Sequence, residues 1–346
     1  MQQPGDVLAL LGSYGSRVDA EARTFLERGP YAMYGMMRYF MGYADENLVS
    51  VAECFGGKRF RSGLLLLIAD QYGALEDAVP LALSIELFHN FTLIHDDIVD
   101  RDEMRRGRPT VWKLWGSDHA INTGDGQLLL ALEALERAHP ARRDRARPFF
   151  LEKYREVIEG QYLDFELTAY SLNDPRTTEA AYLEMLTKKT SVLVGAATAG
   201  AGIAALMRDE ELERLWNFGL ALGRAYQICD DTVSIWGSGD MTGKVPHGDV
   251  RERKKTLPVL IAYERLTGTS RDEFAHLYGS KKSLSADEIQ RAIALMNSVD
   301  AYGAARARVD REAGYARQAA DSLAIPEVGK ELLGSLVTTL LPRVTV

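Results

Sequence analysis

The sequence has little cysteine, no long hydrophobic run and no signal-like start. Its two cysteines, Cys54 and Cys229, are too few for a disulfide framework or a thiolate metal site. The least polar stretch, Ser191–Met207, is shorter than the roughly 20 apolar residues that a membrane-spanning helix needs, and it predicts a buried helix of small side chains. Met1–Leu11 lacks the basic and then apolar order of a signal peptide. We therefore expect a cytoplasmic protein without a membrane span.

The balance of charge limits the class of partner. The 346 residues carry 41 basic and 49 acidic side chains, which gives a net charge of −8. A general nucleic-acid binder needs an excess of basic residues to displace counterions from phosphates, so no nucleic-acid partner is expected. A small phosphorylated ligand remains compatible with this charge, because it needs only a few local cations.

Helical periodicity dominates the chain, and sustained alternation of apolar and polar residues is rare. Leu87, Phe91, Ile94 and Ile98, for example, recur at the spacing of one helical face. The helices predicted in this way cover about residues 31–48, 58–72, 78–100, 119–137, 142–170, 209–236, 284–297, 299–322 and 326–342. The pattern predicts an all-α fold. Because no linker divides the chain, it also predicts one large domain over residues 1–346.

Three segments are interpreted as loops or helix starts. Asp174 is predicted to cap a helix that begins at Pro175. The basic segment His139–Pro148 is flanked by prolines and predicts a solvated loop between helices. Gly237–Arg253 is glycine-rich and charged, and a loop of this length is more often functional than idle.

The strongest chemical signal is an Asp-Asp-x-x-Asp run at Asp96, Asp97 and Asp100. On a helix Asp96 and Asp100 lie one turn apart on one face, with Asp97 beside them. Their repulsion, up to about 4 kcal/mol for a pair 4 Å apart at an effective dielectric constant of 20, calls for positive charge nearby. Carboxylates without histidine or cysteine partners suit Mg²⁺. A solvated acidic helix end is the plainer interpretation, but Ile98 and Val99 between the acids are not a solvated composition.

A second acidic pair, Asp230 and Asp231, follows Gln227 by one helical turn. Two carboxylate-bearing helices that face each other across a cavity could hold several Mg²⁺ ions and a polyanion. Short basic motifs beside the apolar helices supply matching cations, namely Lys58, Arg61, Arg105, Arg106, Lys188, Lys189, Lys244, Lys254 and Lys255.

Taken in order, these motifs resemble those of the trans-isoprenyl diphosphate synthases. The first group comprises Gly56-Gly57-Lys58-x-x-Arg61, Glu86-x-x-His89, Ile94-His95-Asp96-Asp97-x-x-Asp100 and Arg105-Arg106-Gly107. The second comprises Gly160-Gln161-x-x-Asp164, Lys189-Thr190, Gln227-x-x-Asp230-Asp231, Thr242-Gly243-Lys244 and Lys254-x-Thr256-Leu257-Pro258. Each motif alone is weak, whereas the ordered set over residues 56–258 is specific.

The resemblance implies a helical bundle of the isoprenoid synthase type, with a deep central cavity lined by both acidic motifs, and a homodimer. It implies three Mg²⁺ ions, which Mn²⁺ can replace, bound by Asp96, Asp100 and Asp230, with Asp97 and Asp231 in support. The residues expected to hold the diphosphate of an allylic substrate with these ions are Arg105, Lys189, Gln227, Lys244 and Lys254. The residues expected to bind isopentenyl diphosphate are Gly57, Lys58, Arg61, His89 and Arg106. Thr190 would add a hydroxyl donor.

The same resemblance indicates a product length. An aromatic Phe91 five residues before Asp96, a small Thr92 four residues before it and an uninterrupted motif are similar to synthases of C20 geranylgeranyl diphosphate, with C15 farnesyl diphosphate next. On an ideal helix Thr92 lies about 6 Å below Asp96 on nearly the same face, and Phe91 points to the side. Two residues depart from the family. Ser234 stands where the second motif usually has a third aspartate, and Arg253 where glycine is frequent.

Other classes of protein share parts of this pattern. A class I terpene cyclase has the first motif but pairs it with an Asn/Asp…Ser…Glu motif, and the sole Asn-Asp pair of the chain ends at Asp174, next to a proline. A di-iron carboxylate bundle needs two Glu-x-x-His motifs, which Glu86-x-x-His89 and Glu273-x-x-His276 would supply. A non-catalytic partner subunit should have lost its first aspartate motif, which is intact here.

Overall fold

The computed structural model describes residues 4–52, 54, 56–237, 247–279 and 284–344, and these residues are overwhelmingly helical. The first ten helices are α1 (Pro4–Phe25), α2 (Ala32–Met41), α3 (Phe60–Gln71), α4 (Leu75–Asp100), α5 (Val111–Trp115), α6 (Ser117–Glu136), α7 (Pro140–Ala169), α8 (Glu179–Leu186), α9 (Val192–Ala204) and α10 (Asp209–Trp236). They are followed by α11 (Gly248–Arg251), α12 (Leu257–Arg265), α13 (Gly268–Gly279), α14 (Ala286–Ser298), α15 (Ala301–Asp321) and α16 (Glu327–Thr339). A π-helical turn, Thr187–Ser191, joins α8 to α9, and a two-residue hairpin pairs β1 (Met104–Arg105) with β2 (Arg108–Pro109). The all-α prediction is confirmed.

The chain divides into two compact units. Unit 1 comprises Met1–Tyr154, Ala196–Glu213 and Ala324–Gly329, and unit 2 comprises Arg155–Gly195, Arg214–Leu323 and Lys330–Val346. The assignment of residues 1–346 to one domain stays a prediction. None of the helices in the described ranges combines the length and hydropathy of a membrane span.

The core of unit 1 forms around α4. Every residue from Leu81 to Phe88 is buried, and so is every residue from Ser62 to Ala69 on α3. A helix that is apolar all round must be covered on all sides, and α1, α3 and α6 pack on α4. α4 ends where Arg101 adopts a left-handed conformation and its N–H donates to the Asp97 carbonyl. The C-terminal turn of a rigid buried helix therefore carries the first acidic motif.

In unit 2, small residues bring the helices close together. A Cβ atom at Gly223 of α10 would lie 2.6 Å from the Ser191 Cα atom, and one at Gly195 would lie 2.8 Å from the Trp216 ring. Every residue of α9 is buried, its glycines included. The prediction of a buried, small-residue helix within Ser191–Met207 is confirmed.

Three predictions of local structure were wrong. The helix predicted over residues 31–48 ends at Met41, because Gly42 adopts a left-handed conformation. The segment His139–Pro148 is not a loop, because α7 begins at Pro140, a helix position where no N–H is needed. Its arginines are satisfied by partners within unit 1, as in the ion pair of Arg145 with Asp209 at 2.8 Å. Asp174 does not cap a helix either. Its carboxylate accepts the Arg176 backbone N–H within a turn, and α8 begins only at Glu179.

The helix α1 was not predicted, although its signal is present in the sequence. Val7, Leu11, Val18 and Ala22 are buried at helical spacing on one face. The cap that starts α8 was also missed, since Thr178 accepts the Ala181 N–H in the usual manner of a threonine N-cap.

Candidate active site

The last turn of α4 presents two of its three carboxylates outward and buries the third. Asp100 is exposed and Asp96 half-buried, one turn apart, whereas Asp97 is 1% exposed. Arg105 Nε donates to Asp97 Oδ1 at 2.6 Å, and Asp97 Oδ2 is buried without a hydrogen-bond partner among the described residues. Burial raises the pKa of Asp97 to about 6, although the Arg105 charge opposes the shift. The Asp97 carboxylate is thus directed to Arg105 and not to solvent.

The hairpin after α4 directs two arginines onto other segments of unit 1. Its turn residues, Arg106 and Gly107, both have positive φ, which matches a tight hairpin turn. Arg105 thereby meets Asp97, and the Arg106 guanidinium lies over Gly57, where an added Cβ would come within 2.7 Å of Nη2. The absence of a Cβ at Gly57 therefore leaves room for the Arg106 guanidinium, a contact that the sequence did not show.

The basic motif at the start of α3 meets α4 at a histidine. Arg61 Nη1 lies 3.1 Å from His89 Nε2. Burial, followed by the charges of Arg61 and Arg106, holds the pKa of His89 well below its usual range. His89 is therefore neutral, and its Nε2 accepts a hydrogen bond from Arg61 Nη1. Lys58, three residues before Arg61, is exposed.

The sequence pattern did not indicate that Arg59 and Glu86 form a buried pair. Arg59 is 4% exposed and Glu86 2% exposed, and Arg59 Nη1 donates to Glu86 Oε1 at 3.1 Å. The available signal was the position of Arg59 within the basic motif, with Glu86 one turn before His89. Because residues so far apart in sequence can pair in many ways, the partner itself could not be read from the spacing.

The di-iron interpretation is wrong. Both Glu86 oxygens are engaged by protein donors from Arg59, Ser62 and Asn90. Glu273 forms a two-point ion pair with Arg291 on the surface, at 2.6 and 2.7 Å. Neither glutamate is available as an inward-facing iron ligand.

In unit 2 the motif with Lys188 and Lys189 lies in the π-helical turn. Such turns occur often at functional sites. Lys189 Nζ pairs with Asp164 Oδ2 at 2.5 Å, and Lys188 Nζ with Glu159 at 2.8 Å, both on α7. A Cβ at Gly160 would lie 2.6 Å from the Lys188 carbonyl carbon, so α7 touches the turn through this glycine.

We expect Gly160→Ala to lower the free energy of unfolding by about 3 kcal/mol, because the methyl group overlaps backbone atoms that cannot move as a side chain does. Thermal or denaturant unfolding monitored by circular dichroism measures the effect. Gly314→Ala on α15 is the matched control, since nothing lies within 4 Å of its added Cβ. That variant should be more stable by about 0.5–1 kcal/mol, as alanine is in any helix. Equal stability of the two variants would contradict the close approach of Gly160 to the backbone of the π-helical turn.

The second acidic motif also divides into a buried and a more accessible carboxylate. Asp231 is buried, and it accepts from Tyr182 Oη at 2.5 Å and from Gln227 Nε2 at 2.8 Å. Thr190 Oγ1 donates in turn to Gln227 Oε1 at 3.1 Å. Burial, and then the nearby Asp249 charge, raise the pKa of Asp231. Asp230, half-buried beside it, is the carboxylate that this turn leaves accessible.

The two residues that depart from the family pattern, Ser234 and Arg253, both form hydrogen bonds within unit 2. Ser234 Oγ accepts the Asp249 backbone N–H at 3.3 Å. Arg253 has φ of 55°, a left-handed conformation that explains a preference for glycine, and its Nε donates to the Leu277 carbonyl at 3.1 Å. Lys254 pairs with Glu252 at 2.8 Å. The predicted site residue Lys244 lies outside the described residues.

The donor set fits a divalent cation that arrives with its ligand. Within the described residues, no three histidine, cysteine or acidic side chains meet in a ready-made metal cluster. Mg²⁺ seldom uses such a cage and is usually held by one or two carboxylates with phosphate oxygens and waters. Asp96 and Asp100 in unit 1 provide such a pair, and Asp230 provides a further carboxylate in unit 2.

Comparisons with known proteins identify the family of the chain. Residues 46–296 match the polyprenyl synthetase family model. The chain is 40% identical over 256 residues to "(2E,6E)-farnesyl diphosphate synthase" of Mycobacterium tuberculosis, covering 73% of this chain and 69% of that protein. It is 39% identical over 213 residues to "Geranylgeranyl diphosphate synthase" of Methanosarcina mazei, covering 61% and 64%. The crystal structure of a polyprenyl synthetase from Streptomyces coelicolor A3(2) superposes with a TM-score of 0.88 at 30% identity, covering 97% of this chain and 100% of that one.

The chain belongs to the polyprenyl synthetase family, and its fold is that of the all-α isoprenoid synthases. It is a transferase of isoprenoid synthesis, a short-chain prenyltransferase. The resemblance inferred from the ordered motifs is confirmed.

Proposed function

We propose that the protein condenses isopentenyl diphosphate head-to-tail with an allylic diphosphate and releases C20 geranylgeranyl diphosphate. One observation carries the proposal. A single buried helix, α4, holds the Asp96 and Asp100 pair at its end and, two turns earlier, the His89 side chain that accepts from Arg61. The carboxylates for a metal-bound diphosphate and the histidine that holds a cation for a second diphosphate thus lie on one rigid helix.

Isopentenyl diphosphate would bind at the start of α3. Lys58, Arg61 and Arg106 supply positive charge, and a neutral His89 holds Arg61 without adding repulsion among the cations. Gly57 leaves the space that the Arg106 guanidinium occupies. Arginine suits this role because its planar guanidinium forms paired hydrogen bonds with phosphate oxygens.

The allylic diphosphate would bind through divalent ions held by Asp96, Asp100 and Asp230. Mg²⁺, when bound, neutralises the negative charge that develops on the diphosphate as it leaves. The side chains that we propose to assist it are Arg105, Lys189, Thr190, Gln227, Lys244 and Lys254. Asp97 and Asp231 support their motifs from buried positions, through Arg105 and through Tyr182.

The reaction follows from these charges. The allylic carbon–oxygen bond breaks and its electron pair leaves with the diphosphate, where Arg105 and Lys189 stabilise the growing charge. The double bond of isopentenyl diphosphate attacks the allylic cation, and a carbon–carbon bond forms. A proton then leaves the new chain, and the released diphosphate is the base that we propose for it. Apolar side chains must exclude water, which would otherwise capture the cation.

The proposed C20 length rests on the turn of α4 before Asp96. Phe91 is buried, and its ring lies 5.5 Å from that of Phe88 and 4.9 Å from that of His95, so it is held firmly in an aromatic cluster. Thr92 is half-buried and small, and its Oγ1 donates to the His89 carbonyl at 2.8 Å. With an aromatic residue at position 91 and a small one at position 92, the space beside α4 accepts a longer prenyl chain than two aromatic residues would. This supports a C20 product.

We expect Arg61→Ala to raise the KM for isopentenyl diphosphate by about tenfold to a hundredfold, the cost of one charge-assisted hydrogen bond. Lys189→Ala should act on the other substrate and raise the KM for the allylic diphosphate or lower kcat by a similar factor. Steady-state kinetics with each substrate varied in turn measures both effects. Each variant serves as the control for the other, and the same substrate affected by both changes would contradict the assignment.

We also propose that the protein is a homodimer. Ile158, Tyr162 and Phe165 form an exposed apolar stripe at helical spacing on the unit 2 part of α7, the kind of surface that a partner subunit covers. Sedimentation equilibrium decides the point, because the single chain has a mass of 38.4 kDa. A species of that mass at micromolar concentration would refute the dimer.

A further inference from the structure

A single buried guanidinium links several segments of unit 1 at the start of α3. Arg59 Nε donates to Asp19 Oδ1 on α1 at 2.6 Å, and its Nη1 donates to Glu86 Oε1 on α4 at 3.1 Å. Its Nη2 donates to the Met41 carbonyl at 2.5 Å, where α2 ends, and lies 3.3 Å from Tyr43 Oη. The Arg59 side chain is 2% exposed, so it binds protein and not substrate.

Glu86 completes the connection between α3 and α4. Ser62, in the first turn of α3, donates its hydroxyl to Glu86 Oε2 at 2.7 Å, and Asn90 Nδ2 donates to Oε1 at 2.9 Å. Burial alone would raise the pKa of Glu86, but the Arg59 charge and these hydrogen bonds outweigh it and hold the pKa below its usual range. Glu86 is therefore an ionised carboxylate, fully paired inside the unit.

The backbone of Arg59 shows what the pairing maintains. Its φ of 49° is left-handed, an unfavourable conformation for any residue with a Cβ. Such a conformation persists only where surrounding contacts hold it, and it determines where the flanking Lys58 and Arg61 side chains leave the chain. Glu86 precedes His89 by three residues, so the contacts Arg59–Glu86 and Arg61–His89 lie one turn apart along α4.

We propose that Arg59 and Glu86 are positioning residues that direct Lys58, Arg61 and His89 toward the diphosphate of isopentenyl diphosphate. The inference rests on the proposed function, because it presumes that these three residues bind that substrate. Without the ion pair the start of α3 relaxes, and the cations no longer converge although both are still present. Small displacements of binding groups are costly in such sites.

The test uses Arg59→Met and Glu86→Gln, each of which removes one charge and keeps much of the side-chain volume. We expect the KM for isopentenyl diphosphate to rise by about tenfold or more. The KM for the allylic diphosphate and kcat should change by less than about twofold. Arg59→Lys retains the charge but cannot donate hydrogen bonds to several partners in the directions that the guanidinium does. Its KM for isopentenyl diphosphate should therefore lie between those of the parent protein and Arg59→Met. Isothermal titration with isopentenyl diphosphate gives the same order from binding alone.

Glu76→Gln is the matched control, because it makes the same chemical change at the exposed ion pair with Arg17 and should leave both KM values unchanged. Thermal unfolding is recorded for every variant. If Arg59→Met does not fold, Ser62→Ala keeps both charges, removes one hydrogen bond to Glu86, and should raise the KM for isopentenyl diphosphate by about threefold.

Two results would overturn the inference. A lower melting temperature with both KM values unchanged would mean that the pair serves stability alone, and an equal rise in both KM values would mean a general loss of structure. Arg61→Ala separates these from a failure of the proposed function. If Arg61→Ala does not weaken isopentenyl diphosphate binding, the site assignment itself is wrong; if it does and the Arg59 and Glu86 variants do not, only the positioning role fails.

Discussion

Asp230→Ala should lower kcat by about a thousandfold while the protein stays folded. The variant removes the accessible carboxylate of the second acidic motif, and the stabilisation of charge that a ligated ion gives to the transition state is worth several kcal/mol. Asp231 cannot replace it, because both of its oxygens are held by Tyr182 and Gln227. Single-turnover and steady-state kinetics measure the loss, and circular dichroism reports the fold.

Ser234→Ala is the matched control for Asp230→Ala, since it lies one turn later on the same helix. It removes an acceptor for the Asp249 N–H at 3.3 Å, a neutral hydrogen bond worth about 1 kcal/mol, so activity should fall by less than about tenfold. The second motif would then function with two aspartates and a serine. Equal damage from the two substitutions would mean that Ser234 carries a share of the metal binding.

Thr92→Phe should shorten the main product from C20 toward C15, and Phe91→Ala should lengthen it. Thr92 lies about 6 Å before Asp96 along α4, where an aromatic ring would fill the space that a growing chain occupies. Removal of the Phe91 ring opens the side of that space, at a cost of about 3–5 kcal/mol in stability because the residue is buried. Chromatography of the dephosphorylated products gives the distribution of lengths.

Leu93→Ala is the control for both substitutions, because the side chain of Leu93 packs in a cluster with Met36 and Tyr39 on α2 and has no assigned role in length. Its product should keep the parent length. An unchanged distribution in both Phe91→Ala and Thr92→Phe would show that other residues, such as Phe88 or those of α2, limit the chain.

Much of the helical architecture could be predicted because its signal is local. The predicted helices at 78–100, 119–137 and 209–236 agree closely with α4, α6 and α10. The prediction failed at the start of α7, where a helix is rich in arginine and was interpreted as a loop. It also failed at Asp174, whose carboxylate stabilises a turn instead of capping a helix. Arginines beside Pro148 indicated solvent exposure, but ion pairs and carbonyl contacts accommodate them in the helix.

The sequence by itself determined the residue types of the site and their placement along each helix. Asp96 and Asp100 share a face because they are four residues apart, and that relation needs no partner. Only the tertiary structure decided that Asp97 and Asp231 are the buried members of their motifs, that Gly160 accommodates a π-helical turn, and that Arg59 pairs with Glu86. The physical reason is that helical spacing fixes which residues share a face, whereas the packing of distant segments decides which face is buried and which charges meet there.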